Sequence, residues 1–313
     1  MTSSPEVTRL RRVARYLIGL AAIATAVATL LGLFAGAFPY LELINHFRWL
    51  LLAVSSLVVA AAWWAGGRAL LRISASVLIA NLVLASLPLM AQASSAPRST
   101  LRVTTFNLWI HNREPQAVVG FLRETDADVV VLQEIGSRLE QEIVPQLRDK
   151  YPHVVSCARR NCGLVLLSKL GWLDAGFSDR TRLAPPIVWA RFAGAGRPYV
   201  ITGLHLAYPF QPAMQVDQMD WLAERLRQAS DTQILVGDFN LTPFSLKLNT
   251  LAFRANLRRH ATLGASWPAD RFTPVVLLDN LLASPNVRAV DVRYGAGSYG
   301  SDHYPVTFDI AID

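Results

Sequence analysis

Three long apolar stretches open the chain, and a different rhythm follows them. Leu17–Phe38 runs for about 22 residues without a charge, and Leu50–Gly66 and Ile73–Met90 are shorter but also uncharged. A helix crossing roughly 30 Å of hydrocarbon needs about 20 apolar residues, so the pattern predicts three membrane spans, the last two at the short end. Residues 91–100 (AQASSAPRST) are small and polar, without apolar periodicity. They read as a flexible tether between a membrane region, 1–90, and a domain spanning 101–313.

From Leu101 onward, short β-rich runs take over, at 102–107, 128–134, 163–168, 187–192, 198–204, 233–238, 278–283 and 303–310. Two helical patterns interrupt them. Pro115 opens one, with Ala117, Val118, Phe121 and Leu122 on a common face; the other, about 213–229, aligns Met219, Leu222 and Leu226. The consecutive runs between 163 and 204 leave no room for crossover helices, which excludes a purely parallel sheet. Two mixed sheets packed face to face, with helices outside, absorb the pattern.

Composition and charge sharpen this division. The 313-residue chain is 52% hydrophobic and only 17% charged, too apolar for one water-soluble globule and far from a disordered composition. Its net charge of +7 is unevenly placed: residues 1–100 carry +6 and residues 101–313 only +1. The second part therefore lacks the basic field of a DNA-steered protein. Arg9, Arg11, Arg12 and Arg15 precede the first span, and Arg68 and Arg72 lie between the second and third. Arg48, between the first two, is offset by Glu42. The positive-inside rule then places the N-terminus in the cytoplasm and, after an odd number of spans, everything beyond Met90 outside the inner membrane. Tyr40, Trp49, Trp63 and Trp64 suit the two interfaces. If the second and third segments instead formed a buried core pair, the remainder would stay cytoplasmic. A removable signal peptide is the weaker alternative for the first segment, whose apolar run is too long.

Cys157 and Cys162 flank ARRN between two β-rich runs. In an oxidising compartment a disulfide across that hairpin is favoured; two unpaired thiols packed as small hydrophobes are the alternative.

The residues able to do chemistry cluster at the ends of apolar runs. Asn107 closes TTFN, Glu134 closes DVVVLQE, His205 follows VITGL, and Asp238 and Asn240 follow ILVG. Asp279 lies within an apolar run, where a carboxylate needs a partner such as His303. Asp302 and His303 begin the last run. Carboxylates converging on one cleft would repel one another. A divalent cation relieves this, and an oxygen-rich donor set without a zinc spacing selects Mg²⁺ or Mn²⁺. Such an ion with two histidines and asparagines suits attack of water on a phosphoester.

The motifs TFN, QE, GDFNLTP and SDHYPV, in this order, resemble the endonuclease/exonuclease/phosphatase superfamily. SWP at 266–268 and DFNLTPFS resemble its membrane-anchored bacterial branch. The resemblance covers about 101–313 and implies a DNase I-like, four-layer α/β sandwich of two mixed sheets with outer helices. It implies Glu134 as principal metal ligand, Asn107 lining the same site, and Asp302 near the metal or its waters. Asp238 would position or deprotonate the attacking water, Asn240 would hold the phosphate, His205 would donate to the phosphoryl oxygens, and His303, oriented by Asp279, would complete the site. Asn280 and Trp109 stand where relatives often carry other residues. The implied partners are a phosphoester, of nucleic acid or of a lipid or sugar-phosphate head group, and the bilayer itself. Arg159, Arg160, Arg254, Arg258 and Arg259 could make local basic patches or simply solvated faces. A catalytically inactive, membrane-tethered binding module is the reading from a different class.

Overall fold

A computed structural model describes residues 5–65, 67–90, 101–160, 162–194, 196–260, 264–270 and 273–313; the tether expected at 91–100 lies outside them. The chain divides into two compact units, Met1–Ala91 with Phe244–Leu246, and Gln92–Pro243 with Lys247–Asp313.

The first unit contains helices α1 (Pro5–Leu33), α2 (Glu42–His46), α3 (Arg48–Ala65) and α4 (Arg68–Met90). Segments of α1, α3 and α4 are long and apolar enough to cross a membrane. Their apolar side chains point outward: Leu20, Ile23, Leu57 and Ile79 are all exposed, as are Trp63, Trp64 and Tyr40. The buried positions hold small or polar residues instead, among them Ala35, Ala62, Ala85, Thr29, Ser55 and Asn81. Asn81 is the hub. Its amide nitrogen donates to Thr29 Oγ1 (2.9 Å), Ser55 Oγ (3.1 Å) and the Val77 carbonyl (3.1 Å), and its oxygen accepts from Arg48 Nη1 (3.3 Å). Arg48, expected in a loop, instead opens α3 and is buried, its other guanidinium nitrogen bonding the Asn45 side-chain oxygen. In an apolar solvent, helices gain by facing their polar groups toward one another.

The second unit is built from two six-stranded sheets. The first runs in the order β11 (Val287–Tyr294), β12 (Val306–Ile312), β1 (Leu101–Asn107), β2 (Val129–Gln133), β4 (Val165–Ser168), β3 (His153–Ser156). The second runs β5 (Asp174–Ser178), β6 (Ile187–Phe192), β7 (Tyr199–His205), β8 (Thr232–Asp238), β10 (Asp279–Ala283), β9 (Arg258–Arg259). Each has one parallel pair at its centre, β1 with β2 and β7 with β8, and antiparallel pairs outside. The parallel pairs are joined by α5 (Pro115–Glu124) and α7 (Pro212–Arg227), each opened by proline at its first turn. The second unit is thus two βαβ-centred sheets, as expected of two mixed sheets with outer helices.

Side-chain alternation builds three layers of core. Val129 and Val131 of β2 and Ile234 and Val236 of β8 meet between the sheets. Val130 and Leu132 point outward beneath α5 and α6 (Ser137–Ile143). Leu235 points outward beneath α7 and α8 (Leu246–Arg254). On α5 the buried face is Val118, Val119 and Leu122, with Ala117 half-exposed. At Gly203 the sheets approach too closely for a side chain: a Cβ there would lie 2.3 Å from Val131 Cγ1. The structure joins Cys157 and Cys162 in a disulfide between the ends of β3 and β4.

Candidate active site

Both βαβ units carry their functional residues at the carboxyl ends of the parallel strands, where open α/β sheets bind ligands. Asn107 ends β1, Glu134 follows β2, and His205 and Asp238 end β7 and β8, directly paired in register. The antiparallel neighbours deliver the rest. Asp279 starts β10 opposite Asp238, and His303 precedes β12, whose Val306 pairs with Thr105 near the end of β1. Asp302 and His303 therefore sit in a bend three residues before the last strand, rather than beginning it as the run at 303–310 suggested.

The geometry joins the two sheets. Asn107 Nδ2 donates to Asp238 Oδ2 (3.0 Å) and lies 3.2 Å from Glu134 Oε1. His205 Nε2 is 3.6 Å from Asp238 Oδ2 and 3.8 Å from Glu134 Oε1. His303 Nε2 approaches the same Asp238 oxygen at 3.7 Å, while its Nδ1 lies 2.8 Å from Asp279 Oδ2. Asp238 Oδ1 accepts the Asn240 backbone N–H (2.8 Å). Asn240 uses its own amide to donate to the Leu206 carbonyl (3.0 Å), so part of its hydrogen-bonding capacity is committed to the loop. Asp302 is half-buried and accepts from the Trp267 indole (3.3 Å). Asn280 is fully buried, and its amide bonds the backbone carbonyls of Leu241 and Leu278. Its side-chain oxygen has no hydrogen-bond partner.

Burial and neighbours set unequal proton affinities. Burial pushes Asp238 up to about 7, with His303 pulling against it. Burial drives His205 down to about 4. For His303, burial alone would lower the value, but Asp279 and Asp238 raise it to about 10. Burial pushes Glu134 up, yet His205, Asn107 and the Ile110 N–H outweigh it and hold it below the ordinary value. The site thus sets an imidazole of lowered proton affinity and one of raised affinity on either side of the Asp238 carboxyl. His205 Nε2 and Asp279 Oδ1 have no hydrogen-bond partner.

Three of the six non-glycine residues with positive φ among the described residues lie here: Trp109, Glu134 and Asn240, near +50° to +60°. For a residue with a Cβ this costs about 1–2 kcal/mol, and it clusters at functional sites. At Gly237 a side chain is impossible, because a Cβ would sit 2.1 Å from the Leu204 carbonyl oxygen.

Several contributors were not legible as such in the sequence. Tyr208, three residues after His205, donates its hydroxyl to Glu134 Oε1 (3.1 Å), and the Ile110 N–H donates to Oε2 (3.3 Å). Ser301 donates to the Asn107 carbonyl (2.7 Å) and accepts the His303 N–H (3.0 Å), locking the two strand ends together. Ser301 lay inside the motif GSDHYPV. Tyr208 had only its place on a strand-end loop to give it away. Arg180 adds a positive field at His205 and Tyr208.

As for a cation, the described residues include no group of three or more His, Cys, Asp or Glu gathered to hold one. The donor chemistry nonetheless fits a hard ion: Glu134 is held ionised, Asn107 is adjacent, and Asp302 is close enough for the two carboxylates to repel. Mg²⁺ is characteristically held by only one or two protein carboxylates, the remaining positions being water and substrate oxygens.

With this arrangement in view, the comparisons with known proteins are decisive. The model of the endonuclease/exonuclease/phosphatase family matches residues 104–303. The chain belongs to this family. It is a phosphoester hydrolase with a DNase I-like fold. Its structure resembles TDP2 from D. rerio complexed with a single-strand DNA product (16% identity, TM-score 0.57, 67% of this chain and 98% of that one). It also resembles sphingomyelinase C from Streptomyces griseocarneus (18%, 0.52, 68% and 99%) and a Staphylococcus aureus beta toxin variant with bound magnesium ions (13%, 0.52, 67% and 99%). No curated protein matches by sequence. At such identities the family member's site residues and substrate have to be argued from its own geometry.

Proposed function

We propose that the chain is a membrane-anchored, divalent-cation-dependent phosphodiesterase that hydrolyses its substrate by direct attack of water. One observation carries the reading: two buried imidazoles, His205 and His303, converge on the same Asp238 oxygen at 3.6 and 3.7 Å. Phosphoryl transfer needs positioning and charge stabilisation more than covalent chemistry.

Each group then has a task. Asp238, raised by burial toward neutrality, orients the attacking water and takes up its proton. The unpartnered His205 Nε2 donates to a phosphoryl oxygen. His303, kept protonated and aligned by Asp279, donates to another as negative charge grows. Asn240 steadies Asp238 through its backbone N–H and offers its remaining amide capacity to the phosphate. Mg²⁺ or Mn²⁺, when bound, would supply Lewis-acid neutralisation of the phosphate charge. Glu134 would hold it, Asn107 would line its site, and Asp302 would reach its waters.

The membrane reading rests on the three apolar helices and their outward-facing side chains. In this organisation residues 1–90 form the membrane region, 91–100 the tether and 101–313 the catalytic domain. The disulfide supports an extracytoplasmic, oxidising location for that domain. An inactive binding module would have no need for the backbone strain and unpartnered buried groups that meet here.

The test is hydrolysis of bis-p-nitrophenyl phosphate by the purified full chain with Mg²⁺ or Mn²⁺. Turnover is expected to vanish with chelator and to fall about 10³-fold in His303→Ala. Turnover indifferent to both would overturn the reading. A reporter fused after Met90 tests the topology, and activity of a cytoplasm-only reporter there would refute it.

A further inference from the structure

The outer face of the second sheet carries a cleft that the reaction does not use. Between the last turns of α7 and strands β6, β7 and β8 it encloses about 560 Å³. It lies toward the opposite end of the strands from the reacting cluster: Gln233, on its floor, precedes Asp238 by five residues, about 17 Å along β8. Trp189 of β6 and Trp221 of α7 flank it, both half-buried and packed on one side against the core beneath α7. The Trp189 indole lies along the sheet over Gly176 of β5, where a Cβ would come within 2.9 Å of it. The floor between the tryptophans is polar. Thr202 pairs with Trp189 in register, and Gln233 stands diagonally across from Thr202 on the same face. Both are only 8% exposed. Gln233 donates its amide nitrogen to the Asp231 carbonyl (3.1 Å). Its side-chain oxygen, the Thr202 hydroxyl and both indole N–H groups find no partner among the described residues. Such groups are costly to leave unpaired when buried, and here they line open space.

We propose that this cleft binds a neutral saccharide, with a sugar ring stacked on Trp189 and its hydroxyls bonded to Thr202, Gln233 and Arg225. The C–H face of a pyranose is flat and weakly positive, and it meets the negative face of an indole as other positive edges do. Donors and acceptors stand side by side on the floor. A sugar hydroxyl is both at once, whereas an ionised phosphate or carboxylate only accepts. The charges around the cleft also cancel. Asp231 and Glu224 are already paired, with Arg191 (2.7 Å) and Arg227 (2.9 Å). Arg225 is steadied over the Trp221 ring at 5.5 Å, which holds its N–H donors at the mouth. No excess of positive charge remains to capture an anion. The volume falls within the range of small-molecule sites and suits a short oligosaccharide. No residue of the cleft belongs to the reacting cluster, so its occupancy does not depend on the phosphodiesterase reading.

The experiment uses the full chain in a polyoxyethylene detergent, since a glycoside detergent would itself compete for the cleft. Saturation transfer from protein to ligand is measured by NMR with cellotriose, maltotriose and triacetylchitotriose, and affinities follow from titration. At least one trisaccharide is expected to receive saturation, most strongly at its ring C–H positions. Trp189→Ala is expected to weaken its binding by about tenfold or more. Thr202→Val, which keeps the side-chain shape, is expected to weaken it by about fivefold and gives the answer even where Trp189→Ala fails to fold. Phe253→Ala, at an 87% exposed residue of α8 outside the cleft, should bind as the unsubstituted chain does. Hydrolysis of bis-p-nitrophenyl phosphate should be the same in Thr202→Val as in the unsubstituted chain. The proposal is overturned if no trisaccharide is saturated, or if Thr202→Val leaves the affinity untouched. It is equally overturned if inorganic phosphate displaces the trisaccharide, which would make the cleft an anion site, or if adenosine is saturated in preference to every trisaccharide, which would mean that a flat base fills it.

Discussion

Both units of this chain bury polar side chains, and two of their hubs differ. In the helical unit the hub Asn81 is closed: each of its amide atoms has a partner, drawn from Thr29, Ser55, Arg48 and its own helix. In the sheet unit the network around Asp238 is open. His205 Nε2 and Asp279 Oδ1 find no partner, and two imidazoles face one carboxylate at distances too long for hydrogen bonds. A buried polar atom left unpaired is costly, and such a cost persists where a ligand is to be received.

The sharpest way to break this contrast is to disturb the open network. Asp279→Asn keeps the shape beside His303 but removes the charge that keeps it protonated and aligned. We expect kcat on bis-p-nitrophenyl phosphate to fall about 10³-fold, with the thermal melting temperature of the full chain little changed. If stability collapsed and activity per folded molecule survived, the open network would be structural after all.

A closed network within the sheet unit makes the complementary case. Asp309, on β12, accepts from Arg102 Nε (2.7 Å) and meets Arg293 Nη2 at 2.9 Å, well away from the site. Burial pushes its carboxyl up, but these guanidinium groups outweigh that and leave it below the ordinary value. A depressed carboxyl contributes stability that is present above its unfolded value of about 4 and lost as pH falls through the folded one. Asp309→Asn should therefore cost about 1.5–3 kcal/mol at pH 7 and flatten the acid limb of a denaturant-unfolding series, while kcat stays at the unsubstituted level. Losing the Cys157–Cys162 link, by Cys157→Ala with Cys162→Ala, should cost about 2 kcal/mol, the amount expected for so short a loop. Reductant should destabilise the original chain but not this variant.

The two kinds of network were also unequally legible. Asn107, Glu134, His205, Asp238 and Asp279 could be picked out because each interrupts or ends an apolar run, and His303 because it stands at the start of one, strand ends being where a sheet displays chemistry. Two mixed sheets followed from consecutive strands without helices between them. What stayed hidden depends on distance through space. The Tyr208 hydroxyl on Glu134 spans 74 positions, and Ser301 reaches Asn107 across 194. Short or irregular strands such as β9, with two residues, carry no periodicity to read. Arg48 was misplaced for a related reason. Its neighbours mark a helix start, but only the packed helices reveal that Asn81, 33 residues later, supplies its partner.

The smallest effect is expected at Asn81 itself, and it is the most instructive. Asn81→Leu removes the hub and leaves Thr29, Ser55 and Arg48 to find other partners. In water such a loss would expose buried polar atoms to a large penalty. Within a membrane, where we propose that these helices lie, the unfolded helices also find partners, so interhelical hydrogen bonds are worth only about 1 kcal/mol. The variant should unfold at slightly lower denaturant in a mixed-micelle titration followed by helix ellipticity, with hydrolysis of bis-p-nitrophenyl phosphate unaffected. A loss of activity without loss of helix stability would mean that the closed network, too, communicates with the reaction, and the distinction between the two units would have to be given up.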